Sequence, residues 1–346
     1  MARRGWKNRK KKRSGAAGFL AGILLLGLLA ACGAGWLLLA PYGPETETFV
    51  DLAPGSSAVR IGRSLEQAGI IRSQVAFDLL RVFNRGRLRA GEYRFDHPAP
   101  AIEVYDRIAR GDVYTRALTV PEGANIFDIA ARVEEAGFDT RQDFLEAAII
   151  QARLVADMDP RAKTVEGYLF PDTYRFARTT KAAQIVAAMV RRFRAAAAQL
   201  GLKENVHQVV TMASLVERET AVDAERPLVA SVFFNRLKKN MPLETDPSVI
   251  YGLELEGRWR GTIYQSDLTR DTAYNTYLHP GLPPGPVANP GIPSLRAAMH
   301  PAHTDYLYFV AAGSNAQGHS RFAATLDEHK RNVADYRRAL KKAGGQ

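Results

Sequence analysis

The chain opens on a block of cations, passes into an unbroken apolar run, and then mixes apolar and polar positions to its end. Residues 16–40 read AAGFLAGILLLGLLAACGAGWLLLA and carry no charge. A run of this length crosses a hydrocarbon core as one helix. Residues 41–48 (PYGPETET) form a polar linker rich in turn formers. A weak internal repeat follows. Residues 53–69 read APGSSAVRIGRSLEQAG, and residues 121–137 read PEGANIFDIAARVEEAG. Gly55 aligns with Gly123, Ile61 with Ile129, Leu65 with Val133, and Ala68-Gly69 with Ala136-Gly137. Each copy predicts a strand, a glycine turn and a short amphipathic helix closed by glycine. In the second copy Ile126, Ile129, Ala130 and Val133 share one helical face. Between the copies, AGEYRFD (90–96) predicts a strand.

From about Asp157 the chain becomes richer in aromatics and in Pro/Gly loops. The apolar spacing predicts helices over 181–200, over 205–220 with Asn205 as its cap, and over PLVASVFFNRLKK. Residues 241–293 predict a long loop-rich region. TDYLYFVAAG predicts a strand, and TLDEHKRNVADYRRALKKA a closing helix. The expected fold class is α+β, with a small N-terminal subdomain and a larger domain following it.

Charge changes the picture in one place. The net charge of +11 first suggests a nucleic-acid or anionic-surface partner. Arg3, Arg4, Lys7, Arg9, Lys10, Lys11, Lys12 and Arg13 supply +8 of it ahead of the apolar run, which leaves an ordinary +3 for the rest. No nucleic-acid partner is expected. The same asymmetry puts the N-terminus in the cytoplasm and everything after Pro41 outside, by the positive-inside rule. Two rival readings stand beside an uncleaved anchor: a cleaved secretory signal, and lipidation of Cys32 in the box-like Leu29-Ala30-Ala31-Cys32. Against both, residues 33–40 stay apolar. Cys32 is the sole cysteine, so neither a disulfide within the chain nor a cysteine metal site exists. His300 with His303, and His319 with His329, match no zinc spacing, so no metal is expected.

Three segments could carry chemistry. On the 205–220 helix, Glu219 stands over Met212, Leu215 and Val216, and Glu217 over Val210, Ala213 and Ser214. A carboxyl above apolar surface has its charged form disfavoured, as a general acid working near neutral pH requires. Thr220 offers a hydroxyl beside Glu219. Two solvated glutamates flanking Arg218 fit the periodicity equally well, which favours neither acid. In EGYLFPDTY (166–174), Tyr168, Phe170 and Tyr174 could form a sugar-stacking wall, with Glu166 and Asp172 bonding hydroxyls; an aromatic core strand is the alternative. The proline-stiffened stretches LETDPSVIYG (243–252), AYNTYLHPGLPPGPVANPG (273–291) and GHSRFAATLDEH (318–329) offer Asp246, Tyr274, Asn275, Tyr277 and His319 to a polar cleft, or serve as turns.

Taken in order, TMASLVERETA, EGYLFPDTY, ASVFFNRL, TDPSVIYG, AYNTY, GLPPGP and the final histidine-containing segment resemble the YceG-like (MltG) endolytic murein transglycosylases, from Thr48 to the last helix. The segment LTVPEGANIFDIAARVEEAG resembles the start of a LysM glycan-binding module. The family resemblance implies a single-span inner-membrane protein with a periplasmic enzyme domain and a LysM-like subdomain. It implies cleavage of the β-1,4 bond between N-acetylmuramic acid and N-acetylglucosamine in nascent strands, leaving 1,6-anhydromuramic ends beside the cell-wall synthases. It implies no cofactor. The family's acid is the glutamate directly before Thr in E-x-E-T, here Glu219, with Glu217 as the fallback. One departure is Glu244, where the family often has Gln before Thr-Asp-Pro. The expected organisation is a basic cytoplasmic tail (1–15), a transmembrane helix (16–40), a linker (41–48), a LysM-like region (49–155) and a catalytic domain (156–346). A hydrolytic muramidase with Asp246 or Glu217 as second carboxylate, and a non-catalytic glycan-binding scaffold, are the alternatives.

Overall fold

The computed structural model describes residues 14–83, 86–313 and 318–343, so most of the expected basic tail lies outside the described residues. Helix α1 (Ser14–Leu39) carries the apolar run. Over Gly18–Leu39 it is long and apolar enough to cross a membrane, and that stretch is not buried against protein. The chain then forms two compact units that part between Thr115 and Arg116.

The first unit holds strand β1 (Thr48–Leu52), helices α2 (Ala58–Gln67) and α3 (Gln74–Phe83), strand β2 (Gly91–Phe95) and helix α4 (Ala101–Arg110). β1 pairs antiparallel with β2, from Thr48↔Phe95 to Leu52↔Gly91. Ile61 and Leu65, four apart on α2, meet Phe77 and Leu80 of α3 and Tyr105 and Ile108 of α4 in one core. Ser57 caps α2 by accepting from the Arg60 amide, and Gly111 closes α4 at φ 77°. The linker is held too: Tyr42 exchanges both backbone hydrogen bonds with Ala99.

The second unit repeats the order. Strand β3 (Arg116–Thr119), helices α5 (Ile126–Glu135) and α6 (Arg141–Ile150) and strand β4 (Thr173–Phe176) again enclose two helices between antiparallel strands, Arg116↔Phe176 to Thr119↔Thr173. The repeat extends to the backbone. Gly55 and Gly123 sit at φ 78° and 77°, and Gly69 and Gly137 at 71° and 69°, a left-handed region that glycine enters without a Cβ penalty. Ile126, Ile129, Ala130 and Val133 are buried, the face the spacing predicts, and Asn125 with Asp128 closes a capping box. These residues and Phe144 join the core of the second unit. Residues 116–155 therefore belong to that unit, ahead of the boundary expected at 155/156.

Beyond β4 come α7 (Ala182–Leu200), α8 (Val206–Glu219), α9 (Arg226–Lys238), α10 (Asp246–Leu255), a short α11 (Gln265–Leu268), α12 (Ile292–Met299), the hairpin β5 (Tyr308–Ala311) and β6 (Ser320–Ala323), and α13 (Leu326–Ala343). α8 is the core helix: Val210 to Val216 are buried on every side. Truncating Leu215 to Ala in such a setting costs about 2–5 kcal/mol. Two local expectations change. TDPSVIYG opens a helix rather than a loop, because Pro247 in the first turn has no amide to lose there. Asn205 starts α8 from φ 52° without a side-chain cap bond.

Candidate functional site

The site is built where α8 ends. Glu219 is its last residue, and Thr220 turns the chain out in extended geometry at φ −142°. The Thr220 hydroxyl accepts from the Val222 amide and so shapes the turn. Two residues of helix separate Glu217 from Glu219, which points them to opposite sides.

Glu217 faces protein. Its Oε1 accepts from Arg226 Nη1 at 2.6 Å and its Oε2 from the Gly291 amide at 2.9 Å. Both side chains are nearly inaccessible, at 4% for Glu217 and 5% for Arg226. Arg226 also donates to Asp223 and to Ser294 Oγ, so one buried guanidinium joins α8, α9 and the start of α12. With both oxygens engaged, Glu217 has no free edge for a substrate.

Glu219 faces the loop before α10, and this loop is held under strain. Arg236 of α9 donates through Nη1 to the carbonyls of Pro242 and Leu243 at 3.1 Å and to Glu244 Oε2 at 2.9 Å. Glu244 adopts φ 53°, a left-handed conformation that costs a residue with a side chain about 1–2 kcal/mol. The next residue is fixed from the other side. The Thr245 amide donates to Thr276 Oγ1 at 3.0 Å, and Thr276 also meets Ser248 Oγ at 2.9 Å. Thr245 is thereby placed with a buried hydroxyl that meets no partner at full hydrogen-bonding geometry, yet lies close enough to Glu219 to favour its ionised form. Asp246 follows, and accepts from the Tyr277 hydroxyl at 2.7 Å.

The balance of these groups keeps a large fraction of Glu219 protonated near neutrality. Burial pushes its carboxyl up to about 7, and the nearby charge of Asp246 acts in the same sense. Thr245, Arg218 and Arg236 pull the other way. A helix C-terminus also disfavours negative charge. Glu219 nevertheless keeps partial solvent access. A protonated, reachable carboxyl beside an ionisable Asp can deliver a proton and take one back.

The other expected residues separate into two groups. Asp246, Tyr277 and Thr220 gather around Glu219. Tyr274 is half-buried, edge-on to Tyr251 at 5.0 Å, farther along α10. Asn275 is a strut: fully buried, it donates to the Leu268 and Arg270 carbonyls and accepts from the Tyr277 amide. Glu166 is buried, accepting from the Ile126 amide at 2.9 Å and from Asn289 Nδ2 at 2.8 Å, and burial pushes its carboxyl up to about 8. The expected aromatic wall is core instead. Tyr168 is fully buried, packed edge-on against Phe193, with its hydroxyl donated to Asp159 at 2.6 Å; Phe170 is buried as well. Asp172 lies at the surface, paired with Arg192 at 2.9 Å. His319 is hydrogen-bonded to Glu225, a carboxylate that also accepts the Ser320 amide and so pins β6. Arg226, Arg236, Thr245 and Asn289 were not foreseen. Thr245 and Asn289 find their partners far away in the chain, and the near partners of Arg226 and Arg236 lie beyond the helix spacing that a sequence pattern shows.

Known proteins share this arrangement of segments. Residues 50–335 match the model of the YceG-like family. An endolytic murein transglycosylase of Bacillus subtilis strain 168 is 35% identical over 322 residues, covering 86% of this chain and 88% of the relative. An endolytic murein transglycosylase of Streptococcus pneumoniae D39 is 28% identical, over 83% of this chain and 58% of its own greater length. A crystal structure of a YceG-like protein from Listeria monocytogenes superposes with a TM-score of 0.54 at 31% identity, over 83% of this chain and 99% of that one. The chain belongs to the YceG-like family.

Proposed function

We propose that the protein is an endolytic peptidoglycan lytic transglycosylase in which Glu219 is the acid and base. The observation that carries this is the contrast at the end of α8: Glu217 is locked to Arg226, while Glu219 is reachable and its carboxyl is raised to about 7, so that it can both give and take a proton near neutrality. The Glu219 proton goes to the oxygen leaving from C1 of N-acetylmuramic acid, and the C1–O bond breaks. The positive charge that develops at C1 lies beside Asp246, which Tyr277 fixes in place. The C6 hydroxyl of the same sugar attacks C1 and returns its proton to Glu219, which closes the 1,6-anhydro ring. The nucleophile is already part of the substrate, so one essential carboxyl suffices and proximity supplies rate. The reaction consumes no water.

A second reading rests on Asp246. A carboxylate close to the acid could activate water, which would make the enzyme a hydrolytic muramidase. Mass spectrometry of digested strands separates the two. Anhydro ends are expected; reducing ends in their place would establish the hydrolase.

The rest of the chain places this chemistry. α1 anchors the protein as a single span of the cytoplasmic membrane, with the cationic tail inside and both units outside, where nascent strands emerge from the synthases. Cutting there ends strand elongation. The two strand–helix–helix–strand repeats have the element order of a LysM module, and the second carries the segment that resembles one, which supports a glycan-holding role for these repeats. The second unit, from Arg116, is the catalytic domain. A reporter fused after Pro41 tests the orientation: it should be active only outside the cytoplasm.

A further inference from the structure

At the opposite end of α8 from Glu219 the second unit encloses a cavity of about 290 Å³. His207 lines it from the first turn of α8, and twelve residues of helix place it about 18 Å from Glu219. α10 runs the other way, from Asp246 near the acid to Tyr251 and Leu255 at the cavity. The half-buried Tyr274 and the exposed Pro284 present flat surfaces of the kind sugar rings and peptide side chains pack against, and Tyr168, Tyr251 and Pro286 back them from the core. Leu255 is 48% exposed at the edge.

The charges are one-sided. Arg161 and Lys163 stand exposed at the mouth, and among the described residues neither side chain has an ion-pair or hydrogen-bond partner. Asp159 and Glu166, the acids that meet the lining, are both occupied. Asp159 accepts from Tyr168, from His207 Nδ1 at 2.7 Å and from the Arg161 amide at 3.0 Å, all from within the protein. Glu166, the one carboxyl on the lining, is taken up by Ile126 and Asn289, and its burial keeps it neutral below about pH 8. The cavity thus offers Tyr274 and Pro284 under two free cations, with no competing exposed carboxylate on its lining.

We infer that this cavity is a recognition site for the carboxylate-bearing stem peptide of a muramyl residue away from the bond being cut. This deepens the proposed function and rests on it. A strand of N-acetylated sugars whose lactyl groups are amide-linked is uncharged. Its anionic groups are the peptide carboxylates, which is what two unpaired cations would select. Occupancy here would let the enzyme tell strands with free peptide carboxylates from strands whose peptides are amidated while Glu219 acts about 18 Å away.

The test compares strands that carry stem peptides with the same strands after their peptide carboxylates have been coupled to ammonia as amides. Binding is measured with full-length Glu219→Gln protein in detergent, so that cleavage does not interfere. The expected result is tighter binding of the strands with free carboxylates, by about five- to tenfold, the size that two solvent-exposed charge contacts support. In the Arg161→Ala/Lys163→Ala background the preference should vanish while affinity for amidated strands stays. Both side chains are exposed and unpartnered, so the fold should be kept, and near-unchanged thermal unfolding checks that. Equal binding of the two strand types, or a preference that survives the double substitution, would overturn the inference. Failure of the wild-type protein to cleave either strand, with the binding preference intact, would instead sink the proposed function and leave this site standing.

Discussion

The two sides of the end of α8 show how one helix can hold a structural acid and a chemical acid two residues apart. On one side Glu217 meets a buried arginine and a backbone amide, and every lone-pair direction that matters is filled. On the other, Glu219 meets a like charge, a hydroxyl without a full partner and the negative end of the helix. Satisfied pairing makes Glu217 part of the scaffold. Under-satisfaction makes Glu219 ready to exchange a proton. The strain needed for the second arrangement sits in neither glutamate but in Glu244, and Arg236 holds it in place.

Breaking the reactive side should give the largest effect. Glu219→Gln is expected to lower the cleavage rate by about a thousandfold, the usual weight of a positioned general acid, with the fold retained. Breaking the structural side should act on stability. Glu217→Gln takes from Arg226 the one buried carboxylate among its ionic partners, leaving the more exposed Asp223 and Glu122, and should cost about 3 kcal/mol in denaturant unfolding. Activity per folded molecule should change far less than in Glu219→Gln.

Finer changes shift the titration. The acid must be protonated at the start, so kcat/KM should fall as pH rises through about 7. Asp246→Asn removes a charge that raises the carboxyl, and the alkaline limb should move to lower pH. Thr245→Val removes a group that favours the carboxylate, and the limb should move to higher pH; its hydroxyl has no full partner to lose, so stability should stay within about 0.5 kcal/mol. Shifts in the same direction would contradict the assigned surroundings. The smallest effect is on folding. A carboxyl raised in the folded state binds its proton more tightly there than in the unfolded chain, so Glu219 lowers stability as pH rises from about 4.5 to about 7 and adds no further change above that. Unfolding of Glu219→Gln should depend less on pH in that window.

Periodicity carried part of the fold, since the buried face of α5 with its Asn125 cap, the extent of α7 and the strand β2 follow from the pattern along the chain. The repeat was legible because its glycines have to adopt positive φ. TDPSVIYG was misread because Thr, Asp and Pro open both turns and helices, and packing decides between them. The aromatics of EGYLFPDTY looked like a binding wall because sequence does not reveal which rings a core will take in; Asp159, nine residues before Tyr168, anchors that ring inside. The choice between the two glutamates was invisible to helix spacing. It depends on Arg226, Gly291 and Thr245, which meet them only in the folded chain.

The most direct test of the account digests peptidoglycan strands with the wild type, Glu217→Gln and Glu219→Gln at a temperature where all three are folded, and reads the new ends by mass spectrometry. The account predicts 1,6-anhydromuramic ends from the first two proteins and none from Glu219→Gln. Anhydro ends from Glu219→Gln, together with their loss in Glu217→Gln, would contradict it.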